Sequence, residues 1–313
     1  MISFSVVLKD YLALRRRLGF DLKTSEKFLI KFVGFLKEQK ASHITTDLAI
    51  RWAMQPSGAQ PKQWAERLCK ARRFAQYVST IDPFTEIPPR KSIPYYKSRK
   101  LPHIYTDTEI QKIINAADRL PSRMGLKRKT YVTLFSLLAA TGIRVGEAIS
   151  LASNDVDFQE GVLTIRDTKF GKSRLVPLHL STTKALEDYA SYRDHVYKTP
   201  LAPNFFVSDH GKQLTGTSIR WNFAKCSCRV GLRKPAVNNG HGPRIHDLRH
   251  SFAVRTLINW YKEGVNVEQR LPTLTTYLGH TKINFTYWYL TAVPELLKLA
   301  VERLDNPKGA MTL

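Results

Sequence analysis

Cysteine is scarce in this chain: Cys69, Cys226 and Cys228 are the only three among 313 residues. Cys226 and Cys228 have neither the two-residue gap nor the second pair of a zinc site, so reduced structural thiols are expected. Also lacking is any run of about eighteen apolar residues without a charge, which excludes a membrane-spanning helix. The short apolar stretch from Ile2 to Leu8 follows no basic residue, ends at Asp10 and precedes the arginines of ALRRRLGF, unlike a secretion signal. The cytoplasm is the expected compartment. No GxxxxGK[ST] string offers a nucleotide loop and no acidic cluster offers a metal site, so neither cofactor nor metal is expected.

Acidic residues are the most telling shortfall, with 26 Asp and Glu against 49 Lys and Arg and a formal net charge of +23. An excess spread over most of the chain favours a polyanion, bound through counterion release and steered in by the field. The other reading is a basic protein with no nucleic-acid role. A composition 43% hydrophobic and 11% aromatic supplies packed cores rather than disorder. The length allows two or three domains.

Residues 1–82 read as helical throughout, with Leu8 and Leu12 and later Phe28, Ile30, Phe32, Phe35 and Leu36 recurring at three- and four-residue spacings. Four or five short helices are expected. Thr45 and Thr46 suit caps of a helix through Met54, and Pro61 opens another that runs to about Val78. On that last helix Lys62, Lys70 and Arg73 can share a face suited to a phosphate backbone, although a solvated basic face reads almost the same way. Residues 83–104 hold five prolines and five basic residues with no hydrophobic period, the pattern of an extended basic linker.

A second domain, 105–313, is expected to open with Thr106 or Asp107 capping the helix DTEIQKIINAAD. In TYVTLFSLLAATGIRVGEAISL a buried helix ends near Gly142 and another begins beyond Arg144, placing that arginine at an elbow, with Glu147 three residues on to hold it. An arginine fixed by packed neighbours suits two-pronged phosphate recognition. GVLTIRDTKFGKSRLVPL predicts a β-hairpin, with Pro177 marking an edge strand and Lys169 and Lys172 near the tip. PRIHDLRHSFA puts His246 and Arg249 at i, i+3 on a helix start, both projecting the same way, with His250 and Arg244 as second candidates. In LPTLTTYLGHTKINFTYWYL a helix ends at Gly279, His280 sits at the turn, and Tyr287 and Tyr289 follow in a helix whose aromatics would ordinarily be core.

The strings ATGIRVGEAISL, HDLRHSFA and YLGHTKINFTYWYL resemble the three signature stretches of the tyrosine recombinase, or phage integrase, family. The resemblance spans roughly residues 105–300, and the helical N-terminal region is similar to the family's core-binding domain; the ending is more like plasmid- and transposon-borne members than compact Xer types. It implies a mainly α fold with a small antiparallel sheet in a mixed α/β catalytic domain. Carried over position by position, it makes Arg144 the first arginine, Lys169 the hairpin lysine, His246 and Arg249 the second box, His280 the later histidine and Tyr289 the nucleophile. Lys169 is preferred to Lys172 by aligning RLVPL with the second strand, and Tyr289 to Tyr287 by its distance from His280. Gly146 stands where many members have a serine, and the stretch from Arg249 to His280, including NWYKEGVNVEQR, predicts a longer surface loop.

The resemblance further implies a site-specific recombinase acting in integration, excision or transposition. It would cleave and rejoin duplex DNA through a 3′-phosphotyrosyl link, without metal or ATP. Lys169 would be the general acid, His246 a base or proton relay and His280 a phosphate ligand. Its partners would be a double-stranded DNA site and copies of itself, monomeric in solution and tetrameric in the synapse, with no membrane and with nucleoid association on DNA. The amphipathic segment PELLKLAVERL either packs on its own domain or docks into a neighbouring protomer. Alternatives with similar chemistry or charge are a type IB topoisomerase-like enzyme, a nuclease and a catalytically silent DNA-binding protein.

Overall fold

Apolar spacing and capping residues set the N-terminal helices. In the computed structural model, which describes residues 3–95, 101–166, 173–198, 202–235 and 242–305, the chain divides into two compact units, 1–100 and 101–313. The first holds α1 (Phe4–Arg17), α2 (Lys23–Glu38), α3 (Thr46–Met54) and α4 (Pro61–Val78). Thr45 caps α3 by accepting from the Leu48 N–H, and Pro61 opens α4 where a missing donor costs nothing. Leu29, Phe32, Leu36, Trp52 and Phe74 are buried between these helices.

On α4, Lys62 and Arg73 are exposed, while Lys70 is half-buried with its ammonium 4.5 Å from the centre of the Phe28 ring. The proline-rich segment forms no helix or strand over its described part. Up to residue 95 it is tied to the first unit: Thr46 N–H donates to Glu86, Arg72 donates to the Pro88 carbonyl at 2.8 Å, and Ile93 is buried. Arg72 and Arg73 join Arg90 and Lys91 around a cavity of about 700 Å³.

The second unit is built on α5 (Asp107–Asp118) and α6 (Leu126–Thr141). Thr106 and Glu109 form a reciprocal capping box on α5. Buried residues surround α6 on most sides, as suits a helix with α5 and other helices packed about it. After α7 (Val145–Ser150) come β1 (Val156–Asp157), β2 (Val162–Ile165) and β3 (Arg174–Pro177), an antiparallel sheet in the order β1-β2-β3. Leu163 pairs with Val176, both fully buried, and Pro177 lies on the outer strand β3. Lys169 and Lys172 lie outside the described residues.

Helices α8 (Leu180–Val196), α9 (Gly216–Arg229), α10 (Asp247–Lys262), α11 (Val267–Tyr277), α12 (Asn284–Ala292) and α13 (Pro294–Asp305) complete the unit. The architecture is mainly α with a small antiparallel sheet, as the sequence implies. One expectation is corrected: the stretch from Arg249 to His280 is not a long surface loop. The stretch is mostly helical, because buried Ala253, Val254 and Leu257 on α10 and Val267, Leu271 and Leu274 on α11 give each helix an apolar face at helical spacing. Only residues 263–266 connect the two helices, and the Asn266 side chain caps α11 through the Gln269 N–H. The last helix, α13, packs on α10 and α12 of its own unit through fully buried Leu296, leaving Leu297 and Val301 exposed. Among the described residues no helix is long and apolar enough to cross a membrane.

Candidate active site

Two helix C-termini gather the cations. α6 stops at Gly142, whose φ of 63° is left-handed and where an added Cβ would lie 2.6 Å from the Phe252 ring. Arg144 then caps α7. Its backbone N–H donates to Glu147 Oε2 at 2.9 Å, and its guanidinium donates to Glu147 Oε1 at 2.6 Å and to the Gly279 carbonyl at 2.7 Å. That carbonyl belongs to a second left-handed turn, just past the end of α11, where a Cβ on Gly279 would lie 2.8 Å from the Arg174 guanidinium. Between the two turns Arg249, only 3% exposed, donates to the Gly142 carbonyl at 2.8 Å and to the Leu278 carbonyl. Carbonyls at helix C-termini lack intrahelical partners and carry partial negative charge, which is why arginines settle there.

Glu147 ties the cations together. Its buried carboxylate also accepts a pair of hydrogen bonds from Arg174, at 3.1 and 2.8 Å, while Arg174 Nε donates to the Tyr277 carbonyl at 2.7 Å. Burial alone would raise this carboxyl, but hydrogen bonds from Arg174 and Arg144 hold it at about 2. A depressed carboxylate contributes stability that is fully present above its unfolded pKa near 4.5 and is lost as pH falls toward 2. Glu147→Gln keeps the shape but leaves two arginines facing each other. It is expected to cost about 3 kcal/mol in denaturant unfolding. A cost below about 0.5 kcal/mol, the scale of a neutral surface change, would show that the carboxylate does not hold the pair.

The histidines and the tyrosine form the other half. His280 follows the Gly279 turn, its Nδ1 lying 2.9 Å from Thr286 Oγ1, which in turn lies 2.9 Å from Thr275 Oγ1. Tyr289, 2% exposed, packs among Ala253, Val254, Leu271 and Leu274. Its ring stacks on His280 at 6.4 Å between centroids, and its hydroxyl lies 3.0 Å from His250 Nδ1. His246 stands immediately before α10 with its ring edge-on to His250 at 4.9 Å. Burial and then arginine charge push His280 down to about 3; burial and then His246 push His250 to about 4; burial and then Arg144 push Arg249 to about 10. At neutral pH the two histidines are therefore neutral, and the arginines carry the positive charge of the site.

Four of the residues singled out from sequence, Arg144, Arg249, His280 and Tyr289, are thus brought together, with His246 at the edge. One detail differs from expectation. His246 and Arg249 do not both reach outward: His246 is exposed, but Arg249 is drawn inward onto the carbonyls of Gly142 and Leu278. Tyr287, the competing tyrosine, is 42% exposed. Arg174 and Thr286 carry no signal of their own in the sequence, since an arginine opening an edge strand and a threonine in an aromatic helix are both ordinary. Lys62, Lys70 and Arg73 belong to the first unit.

Residues 104–295 match the phage integrase family. The chain belongs to that family. A relative named as an integrase/recombinase in Sinorhizobium fredii is 45% identical over 310 residues, 98% of this chain and 98% of that one. The tyrosine recombinase XerD of Lacticaseibacillus casei is 27% identical over 309 residues, 96% and 97% of the two chains. Among solved structures, the integrase of transposon Tn1549 in complex with transposon right end DNA is similar with a TM-score of 0.66 at 15% identity, over 97% of this chain and 100% of that one. The XerH site-specific recombinase bound to difH gives 0.62 at 20%, over 92% and 82%. These likenesses speak for the fold, and the family match makes the chain a tyrosine recombinase, an enzyme of DNA strand breakage and rejoining.

Proposed function

We propose that this recombinase cleaves and rejoins a specific duplex DNA site through a 3′-phosphotyrosyl intermediate on Tyr289, without metal or ATP. The observation that carries the reading is the placement of two arginines, Arg144 and Arg249, on the turns at Gly142, Leu278 and Gly279, with His280 stacked on the one buried tyrosine beside them. Two guanidiniums neutralise the nonbridging oxygens of a phosphodiester and take the place of metal ions in stabilising charge. Each uses two of its five N–H donors on the protein in the contacts above and keeps others for an anion. Tyr289 attacks the phosphorus, the 5′ oxygen leaves with a proton from Lys169, His246 relays protons, and His280 supports the phosphate through its ring nitrogen. Energy stays in the phosphotyrosyl bond until a 5′-hydroxyl reverses the step.

The partners proposed are duplex DNA and three further copies of the chain in a synapse, with the free chain monomeric and the DNA-bound chain at the nucleoid. Residues 1–82 act as a core-binding domain, with Lys62, Lys70, Arg73 and Lys172 on the phosphate backbone, 83–104 as the linker and 105–313 as the catalytic domain, and α13 reaches a neighbouring protomer once DNA is bound. The relatives that carry DNA in their crystals support this reading.

The test is covalent capture. Incubated with a pool of nicked duplexes of random core sequence, the full chain should become linked to a subset, and digestion should place the DNA on the peptide that contains Tyr289. Attachment elsewhere, or recovery of cut DNA with no protein on it, would overturn the reading. The captured duplex then separates the two hairpin lysines. Lys169→Ala should lose cleavage by about 100-fold, the scale of a missing general acid, and Lys172→Ala should not. The reverse result would move the general acid to Lys172.

A further inference from the structure

His250 has no role in the chemistry above, yet its Nδ1 lies 3.0 Å from the Tyr289 hydroxyl inside the protein. The imidazole is 9% exposed and held on several sides, edge-on to His246 at 4.9 Å, to Trp288 at 5.6 Å and to Tyr289 at 5.4 Å. A ring so wedged has little rotamer freedom, and a group it holds is held as firmly.

We propose that His250 is the positioning residue for the nucleophile: its neutral ring accepts the hydrogen bond of the Tyr289 hydroxyl and aims that oxygen at the phosphate. The inference rests on the assignment of Tyr289 as the nucleophile.

Proton bookkeeping favours holding over abstraction. Burial, together with His246, Arg244 and Arg249, outweighs Asp247 and leaves His250 at about 4, so at neutral pH its ring has one bare nitrogen, able to accept. A buried phenol O–H needs such an acceptor. Against an ordinary phenol near 10, full transfer of the proton to a base at about 4 is roughly a million-fold uphill. His250 therefore orients the O–H, and as the bond to phosphorus forms the positive field of the arginines draws the charge out and the phenol proton passes to His246, the relay named above. With Nδ1 accepting, Nε2 carries the ring proton.

Rates of adduct formation under single-turnover conditions, at saturating captured duplex, test this. His250→Ala should slow the step by about 100-fold, the scale of a misaimed reacting atom, with the Kd for the duplex unchanged. His250→Asn, whose amide oxygen stands near the position of Nδ1, should recover at least about tenfold of that loss while unfolding no later than the Ala variant, because a hydrogen bond to the phenol and not packing is being restored. A wild-type rate in His250→Ala overturns the proposal, as does an Asn variant no faster than Ala. If the unaltered chain forms no adduct on Tyr289, the assignment of the nucleophile has failed. If it does and substitutions at 250 leave the rate alone, only the role of His250 has failed.

Discussion

Tyr289→Phe should abolish the covalent adduct on the captured duplex while retaining the affinity for that duplex. The substitution removes one oxygen and leaves the ring in its place among Ala253, Val254 and Leu274, stacked on His280. Packing is therefore conserved, and loss of the buried hydrogen bond with His250 costs about 1 kcal/mol. On the proposed mechanism the chemistry loses its nucleophile outright, while among the described residues Tyr287 is 42% exposed and Thr286 is engaged with His280 and Thr275. Gel-resolved adduct formation with labelled duplex checks the outcome. Any adduct at the unaltered rate in the Phe variant would show that another residue attacks.

Arg144→Ala should slow cleavage by about 100- to 1000-fold, the loss seen when a preorganised donor to a developing oxyanion is removed. Arg144 is 36% exposed, more open than Arg249, and its guanidinium is already fixed by Glu147 and the Gly279 carbonyl, so no ordering is left for the moment of reaction. Lysine at this position restores the charge but not the planar fork, and should recover little. The duplex Kd should change by less than about tenfold, because one phosphate contact among many is lost. A cleavage rate within tenfold of the unaltered chain would remove Arg144 from the transition state.

Much of this was legible in the chain because local rules decided it. Thr45, Pro61, Thr106 and Gly142 mark helix ends by capping and by left-handed backbone, and each acts where its chemistry placed it. The alternation that gives β2 and β3 is equally local. What spacing could not supply was the distance in space between segments. Nothing within HDLRHSFA says that Arg249 turns inward, because its partners are carbonyls 107 residues before it and 29 after it. Tyr289 looks like a core aromatic, and it is one, but its hydroxyl lies 3.0 Å from a histidine 39 residues away. The resemblance to a family named the tyrosine, and only the fold shows what holds it. The stretch before His280 suggests a longer surface loop by its length against compact members of the family, and length does not show that Val267, Leu271 and Leu274 continue a buried helical face.

The carbonyl grips on the two arginines carry a consequence for biosynthesis. Glu147 holds one edge of the Arg144 guanidinium locally, but the other grip forms only when Gly279, 135 residues later in the chain, has folded against it, and Tyr289 lies ten residues beyond that. A nascent chain that has not yet reached Gly279 has therefore made most of its basic residues without the assembled arginine centre. On the proposed mechanism, products that stall before that point should be unable to nick DNA, so half-made copies would spare the genome.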